Sequence, residues 1–182
     1  MEIILIRHGR PTTAGNPKVS ASGFIQWVRH YHHAKVCNTS RANHQVFDNS
    51  HYLVSSDLKR AIHSSEIYSG KTPQQQLPSL REMDIPRYKL PFTLNAWTWV
   101  YLNRALWMLG KKGNFESYND AKQRAIVAAD ELIALAKQHK KVMAFGHGFM
   151  NLHIRRELAR KGWQVKEKDN NYWGKNTLVW TN

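Results

Sequence analysis

The sequence predicts an α/β fold: a mainly parallel sheet flanked by helices on both faces, folded as a single domain over residues 1–182. Three observations carry the prediction. Ile3-Ile4-Leu5-Ile6, Tyr52-Leu53-Val54-Ser55 and Val142-Met143-Ala144-Phe145 are short apolar runs without polar alternation, as expected of strands buried on both faces of a parallel sheet. Stretches with apolar residues at three- and four-residue spacing follow these runs, so strand alternates with helix along the chain. A length of 182 residues supports one core of ordinary size and not two comfortable ones.

The elements follow in order. Arg10 to Val19 contains Pro11, Gly15 and Pro17 and reads as a loop. Ser20 or Ser22 can cap the next helix, whose apolar positions are Phe24, Trp27, Val28 and Tyr31. Cys37 to Ser50 is polar and reads as irregular. After the second strand, Ser56 or Asp57 can N-cap a helix carrying Leu58, Ala61, Ile62, Ser65 and Ile67. Pro73 to Pro78 is a turn-rich crossing. Over about 87–116 the composition shifts to Phe92, Trp97, Trp99, Tyr101, Trp107 and several cations, which reads as a small inserted helical cap. Asn119 to Lys137 is a long helix with Ala125, Ile126, Ala129, Leu132, Ile133 and Ala136 on one face. Phe149 to Arg160 is another, with Met150, Ile154 and Leu158 spaced by four. A polar turn through Lys166 to Asn171 then leads to a last strand, Thr177-Leu178-Val179-Trp180.

Charge and cysteine content narrow the function classes. Lys and Arg number 27 against 13 Asp and Glu, a formal net charge of +14, so the surface attracts anions of every size. That positive field does not choose among them, but the cations are scattered and no nucleic-acid-binding module accompanies them, so a nucleic-acid partner is not expected. Cys37 is alone, so no disulfide framework exists and a cytoplasmic location is the natural expectation. The apolar run at the N-terminus is shorter than a signal-peptide core, and no stretch reaches membrane-spanning length, so no membrane partner is expected. His30, His32 and His33 lack a matching ligand set at metal-site spacing, so neither a metal nor another cofactor is expected.

Three predicted strands end in groups that suit an anion. Ile6 runs into Arg7-His8-Gly9, Ser55 leads to Arg60 in the first turn of a helix, and Phe145 runs into Gly146-His147-Gly148. In a parallel sheet these ends share one edge, where ligands of open α/β folds bind. Two guanidiniums and two imidazoles can surround one phosphoryl group, each charge-assisted hydrogen bond contributing roughly 1.5–3 kcal/mol. His8 offers a nucleophilic nitrogen, Arg7, Arg60 and His147 charge stabilisation, and Gly9 room for close approach to the backbone. The alternatives are structural: a strand-end His can be a hydrogen-bonded core residue, and Arg60 can be an ion-pair partner of Glu66 or Asp57.

Arg7-His8-Gly9, Ser55-Ser56-Asp57-Leu58-Lys59-Arg60-Ala61, Leu80-Arg81-Glu82 and Gly146-His147-Gly148, in that order, resemble the histidine phosphatase superfamily, the phosphoglycerate-mutase-like proteins, in its phosphatase branch. Ser20-Ala21-Ser22-Gly23-Phe24-Ile25-Gln26 is similar to another of its stretches. The resemblance implies a metal-independent phosphatase that hydrolyses a phosphomonoester, a small phosphorylated substrate or a phosphoprotein, through a phosphohistidine on His8, with Glu82 as the general acid and Asp84 the nearby alternative. In the family an Asn soon after the first motif helps hold phosphate; here Asn16 comes later, and Arg10-Pro11 stands in between. The competing readings are a phosphoglycerate-type mutase and a non-catalytic basic protein that binds phosphate or nucleic acid. The short cap and brief C-terminal segment favour hydrolysis, because water can enter an open site. Trp97, Trp99, Tyr101 and Trp107 either pack a helix onto the body or stack on substrate, and Arg87, Lys89 and Arg104 are candidates for a second phosphate or carboxylate subsite.

Overall fold

The computed structural model describes residues 1–42 and 49–181. In chain order the elements are β1 (Glu2–Arg7), β2 (Lys18–Ser20), α1 (Ala21–His33), β3 (Tyr52–Ser55), α2 (Lys59–Ser69) and β4 (Gln75–Gln76). A 3-10 turn (Pro78–Leu80) precedes β5 (Thr93–Asn95), α3 (Ala96–Met108), α4 (Tyr118–His139), β6 (Lys141–Gly146), α5 (Gly148–Arg160), β7 (Gln164–Lys168) and β8 (Lys175–Val179).

The main sheet has the order β4-β3-β6-β1-β8-β7. The three apolar runs form its centre: β1 pairs with β6 and β6 with β3, all parallel, with Arg7 opposite Gly146 and Ser55 opposite Phe145. Their carboxyl ends are therefore level along one edge. β8 runs antiparallel to β1, placing Lys175 opposite Ile6, so the amino end of β8 lies at that same edge. One face of the sheet, including Ile3, Leu5, Val54, Val142, Ala144 and Leu178, packs on α4 and α5. The buried alanines of α4, Ala121, Ala125, Ala128, Ala129 and Ala136, permit close approach. Ile4, Ile6, Leu53, Met143 and Phe145 form the other face, against Tyr68 of α2 and Trp173. α1 and α3 make a separate layer in which Phe24, Trp27, Tyr31 and Trp99 stack at ring-centroid distances of 5.2–6.0 Å.

Several details differ from the sequence reading. The expected turn over Lys166–Asn171 begins as the end of β7, an edge strand exposed along its whole length; with no buried face it carries no apolar alternation. The expected loop before α1 ends in β2, which pairs with β5 in a two-stranded ribbon, and the crossing after α2 includes the short β4. Ser20 is the cap of α1, accepting from the Gly23 N–H. Neither Ser56 nor Asp57 caps α2, because Leu58 occupies that position and Asp57 is gripped by Arg81 instead. Of the stretch expected to be irregular, 37–42 and 49–50 have no helix or strand, and 43–48 lie outside the described residues. Among the described residues no helix is long and apolar enough to cross a membrane.

Candidate active site

The parallel ladder continues one step past the strand ends. The His8 N–H donates to the Gly146 carbonyl and the Ser56 N–H to the Phe145 carbonyl, both at 3.0 Å. His8, Ser56 and His147 are thereby fixed side by side, each no more than 1 % exposed. Arg60, also 1 % exposed, reaches them from the first turn of α2, and its Nε donates to His8 Nε2 at 3.2 Å. A guanidinium can only donate, so Nε2 carries the lone pair and Nδ1 the hydrogen, which is donated to the Gly9 carbonyl at 2.7 Å. Burial, reinforced by the charges of Arg60 and Arg7, holds the His8 pKa well below 6.5. His8 is thus a neutral imidazole whose unprotonated nitrogen is defined, and that nitrogen accepts from Arg60.

Arg60 is the most demanding group in the site, a buried cation without a hydrogen-bonded carboxylate among the described residues. It pairs with neither Asp57 nor Glu66. Its Nη1 donates instead to the Tyr31 and His32 carbonyls, each at 3.2 Å, in the last turn of α1, where orphan carbonyls and the negative end of the helix dipole favour a cation. The Tyr31 ring lies 5.1 Å from the guanidinium. These contacts supply partial charges, to which the charge of Glu82 adds, so a bound anion beside His8 would be stabilised by Arg60.

His147 meets His8 edge-on at a centroid distance of 5.0 Å. Its Nε2 is hydrogen-bonded to Ser56 Oγ at 2.7 Å, and its buried Nδ1 has no partner. Burial first, then Arg60, depresses its pKa well below 6.5. The Arg7 Nη1 donates to the Asn170 carbonyl at 2.8 Å, its guanidinium lies 4.1 Å from the Tyr172 ring centroid, and its buried Nε is unpartnered. Gly148 makes space for it, since a Cβ there would come within 3.0 Å of Arg7 Nε.

Glu82 is held at the N-terminus of α5. Its Oε1 accepts from the Met83 and Met150 N–H groups, each at 3.0 Å, and Oε2 makes only longer contacts, 3.5 Å to the Phe149 N–H and 3.9 Å to Arg104. The loop carboxylate is thus positioned by backbone donors that α5 leaves without intrahelical partners, and Oε2 keeps spare capacity for a proton or a ligand. Asp84 is engaged elsewhere, accepting from the Glu116 N–H at 3.2 Å. Arg7 and Glu82 line a cavity of about 240 Å³ together with Trp97, Tyr101, Arg104 and Phe149.

Two predicted site residues stand apart. Gly9 donates its N–H to Ser64 Oγ at 3.0 Å, and a Cβ at this position would lie 2.3 Å from the Trp173 ring, so the close approach it permits here is that of an indole. Asn16 accepts from the Trp97 N–H at 3.0 Å and so serves the start of α3. Ser56, Tyr31, Asn170 and Tyr172 are not legible in the sequence as site residues. Ser56 reads there as a possible cap and as part of the Ser55 to Ala61 motif without a role of its own, and Asn170 and Tyr172 reach the edge because β8 is antiparallel, a pairing that no local pattern announces. Among the described residues no group of three or more His, Cys, Asp or Glu side chains is placed to hold a metal ion.

The fold recurs in solved structures of low sequence identity. A protein of Thermus thermophilus matches with a TM-score of 0.57 at 21 % identity, covering 87 % of this chain and 85 % of its own. A mycobacterial glucosyl-3-phosphoglycerate phosphatase matches at 0.57 and 17 %, covering 87 % and 79 %. A phosphoserine phosphatase of Entamoeba histolytica, in complex with 3-phosphoglyceric acid, matches at 0.53 and 16 %, covering 98 % and 90 %. No curated protein matches the chain by sequence. The profile of the histidine phosphatase superfamily (branch 1) matches residues 33–177, a span that begins after Arg7-His8-Gly9 and includes Arg60, Glu82 and His147, and the chain belongs to that superfamily.

Proposed function

We propose that the protein is a phosphatase that hydrolyses a phosphomonoester through a phosphohistidine on His8, without a metal ion. The observation that carries this reading is the state of His8: a buried neutral imidazole whose Nδ1–H is fixed on the Gly9 carbonyl and whose Nε2 lone pair lies against the guanidinium of Arg60. In the first step Nε2 attacks phosphorus, the P–N bond forms and the ester P–O bond breaks. The departing alkoxide takes a proton from the Glu82 carboxyl, for which Oε2 is the less occupied oxygen. In the second step a water molecule attacks phosphorus while the Glu82 carboxylate takes its proton, the P–N bond breaks, and phosphate leaves with His8 neutral again.

Arg7, Arg60 and His147 hold the nonbridging oxygens, supplying the positioning and charge stabilisation that dominate phosphoryl transfer. For Arg60 this requires exchanging His8 Nε2, the attacking atom, for a phosphoryl oxygen; Arg7 can offer its unpartnered Nε, and the unpartnered Nδ1 of His147 is a further donor or acceptor within the site. Residues 87–116, with β5 and α3, act as the cap over this edge. A screen of phosphomonoesters in EDTA tests the reading. Turnover should survive chelation, yield inorganic phosphate, and be inhibited by vanadate. Loss of all turnover on chelation, restored by a single divalent ion, contradicts it.

A further inference from the structure

The outer wall of the cavity over Arg7 and Glu82 is chemically distinct from its floor. α3 presents aromatic residues on two faces. Trp99 and Trp107 are fully buried, their indole N–H groups donating to the carbonyls of Val19 and Glu116, and packing accounts for them. Trp97 and Tyr101, four residues apart, line the cavity instead, and Tyr101 is 71 % exposed although it is a large ring. Trp97 meets Trp27 and Tyr31 edge-on at 5.3 and 5.9 Å, which braces it without covering its cavity side.

Arg104, one turn further along α3, lines the same cavity and has donors to spare. Its side chain is 17 % exposed, its guanidinium lies 4.5 Å from the Phe149 ring centroid, and its buried Nε has no partner. Its polar contacts are a long one to the Met83 carbonyl at 3.5 Å and the 3.9 Å approach to Glu82 Oε2. Two neighbouring arginines show the contrast. Arg81 grips Asp57 and Arg124 grips Glu116, each with two nitrogens on two carboxylate oxygens. The other cations of this segment do not share the cavity: Arg87 lies over Phe115, and Lys89 belongs to a groove beside Ser20 and Phe92.

We infer, building on the phosphatase reading above, that Trp97, Tyr101 and Arg104 form a subsite for the leaving group. Its ligand is an aromatic or extended apolar moiety that bears a second anionic group. The substrate class is then a phosphomonoester of such an alcohol, with the reacting phosphoryl group on Arg7, Arg60 and His147 and the second anion, carboxylate or phosphate, on the guanidinium of Arg104. Small neutral polyol phosphates lack both features. The aromatic wall contributes through stacking and burial, and Arg104 through a planar fork of donors that suits a carboxylate or phosphate bidentately.

Calorimetric binding of non-hydrolysable phosphonates to the intact chain tests this independently of turnover. 4-Carboxybenzylphosphonate should bind about 10-fold or more tighter than benzylphosphonate, the gain expected of one charge-assisted contact. Arg104→Met should abolish that difference, Arg104→Lys should retain part of it, and Trp97→Leu should weaken both ligands. Equal affinity of the two phosphonates for the wild-type chain, or discrimination that persists in Arg104→Met, overturns the subsite. So does an Arg104→Met protein that keeps the discrimination but slows poor leaving groups selectively, since Arg104 would then only position Glu82. If phosphomonoesters are hydrolysed under EDTA while the carboxylate brings no gain, the subsite alone has failed. If neither phosphonate binds and nothing is hydrolysed, the phosphatase reading has failed with it.

Discussion

The site has a buried inner wall, whose residues do not line the cavity over Arg7 and Glu82, and an outer wall that does, and the two are built on different principles. The inner wall, His8, Arg60, Ser56 and His147, is buried and tied together by the register of parallel strands and by hydrogen bonds of 2.7–3.2 Å. The outer wall, Trp97, Tyr101 and Arg104, stands on a single helix, is partly exposed, and has unsatisfied capacity. Interlocked buried groups cannot change singly without leaving a partner unpaired, so the chemistry is fixed there, whereas the outer wall can vary with the leaving group. Perturbing each wall should therefore give different signatures.

Short of removing the His8 nucleophile, the largest effect is expected where the walls meet. Glu82→Gln should slow alkyl phosphates by on the order of 10²–10⁴ and aryl phosphates much less, measured as kcat across leaving groups. Equal loss on all substrates would assign Glu82 to positioning, and the same dependence in Asp84→Asn alone would transfer the acid role two residues along. Next comes His147→Asn, which under the proposed mechanism removes a charge-stabilising group and should lower kcat by about 10²–10³ for every substrate alike. A dependence on leaving group there would blur the division between the walls.

Ser56→Ala probes the interlocking itself. It strips His147 Nε2 of its partner at 2.7 Å and should destabilise the fold by about 1–3 kcal/mol in urea unfolding. An unchanged midpoint would mean that the inner wall tolerates single losses. A related effect is set by pH. His8 and His147 have pKa values well below 6.5 when folded, and His153 is held at about 4, mainly by burial. As pH falls below about 6.5 the unfolded chain takes up protons that the folded chain does not. Stability present at neutral pH is therefore lost on acidification, by at most about 1.4 kcal/mol per pH unit for each fully buried histidine. Urea midpoints at pH 7.5 and 5.0 should differ, and less so in His147→Gln. The smallest effect belongs to the surface: the net charge of +14 should make kcat/KM for anionic substrates fall as salt rises while kcat stays nearly constant.

His8 and His147 of the inner wall are legible in the sequence because they follow apolar runs directly. Once Ile3–Ile6 and Val142–Phe145 are read as parallel strands, His8 and His147 must lie on one edge. Arg60 is legible in the same way, from its place in the turn after β3. Pairing of specific atoms is not: that Ser56 meets His147 and that Gly9 packs on Trp173 depends on contacts spanning more than ninety residues. The outer wall divides along α3, where residue type alone leaves Trp97, Trp99, Tyr101 and Trp107 with the same standing. Helical phase places Trp99 and Trp107 in the core and the other two on the cavity. β7 stays hidden because an exposed edge strand needs no apolar face, and with it the antiparallel turn that brings Asn170 and Tyr172 to Arg7.

The most direct test of the central claim is to quench turnover of a phosphorus-labelled substrate rapidly, without acid, and map the label. His8 should carry one phosphoryl group as an acid-labile, comparatively base-stable phosphoramidate, and His8→Ala should lose both the adduct and turnover. An active His8→Ala protein, or a label on Ser55, Ser56 or Asp57, would contradict the account.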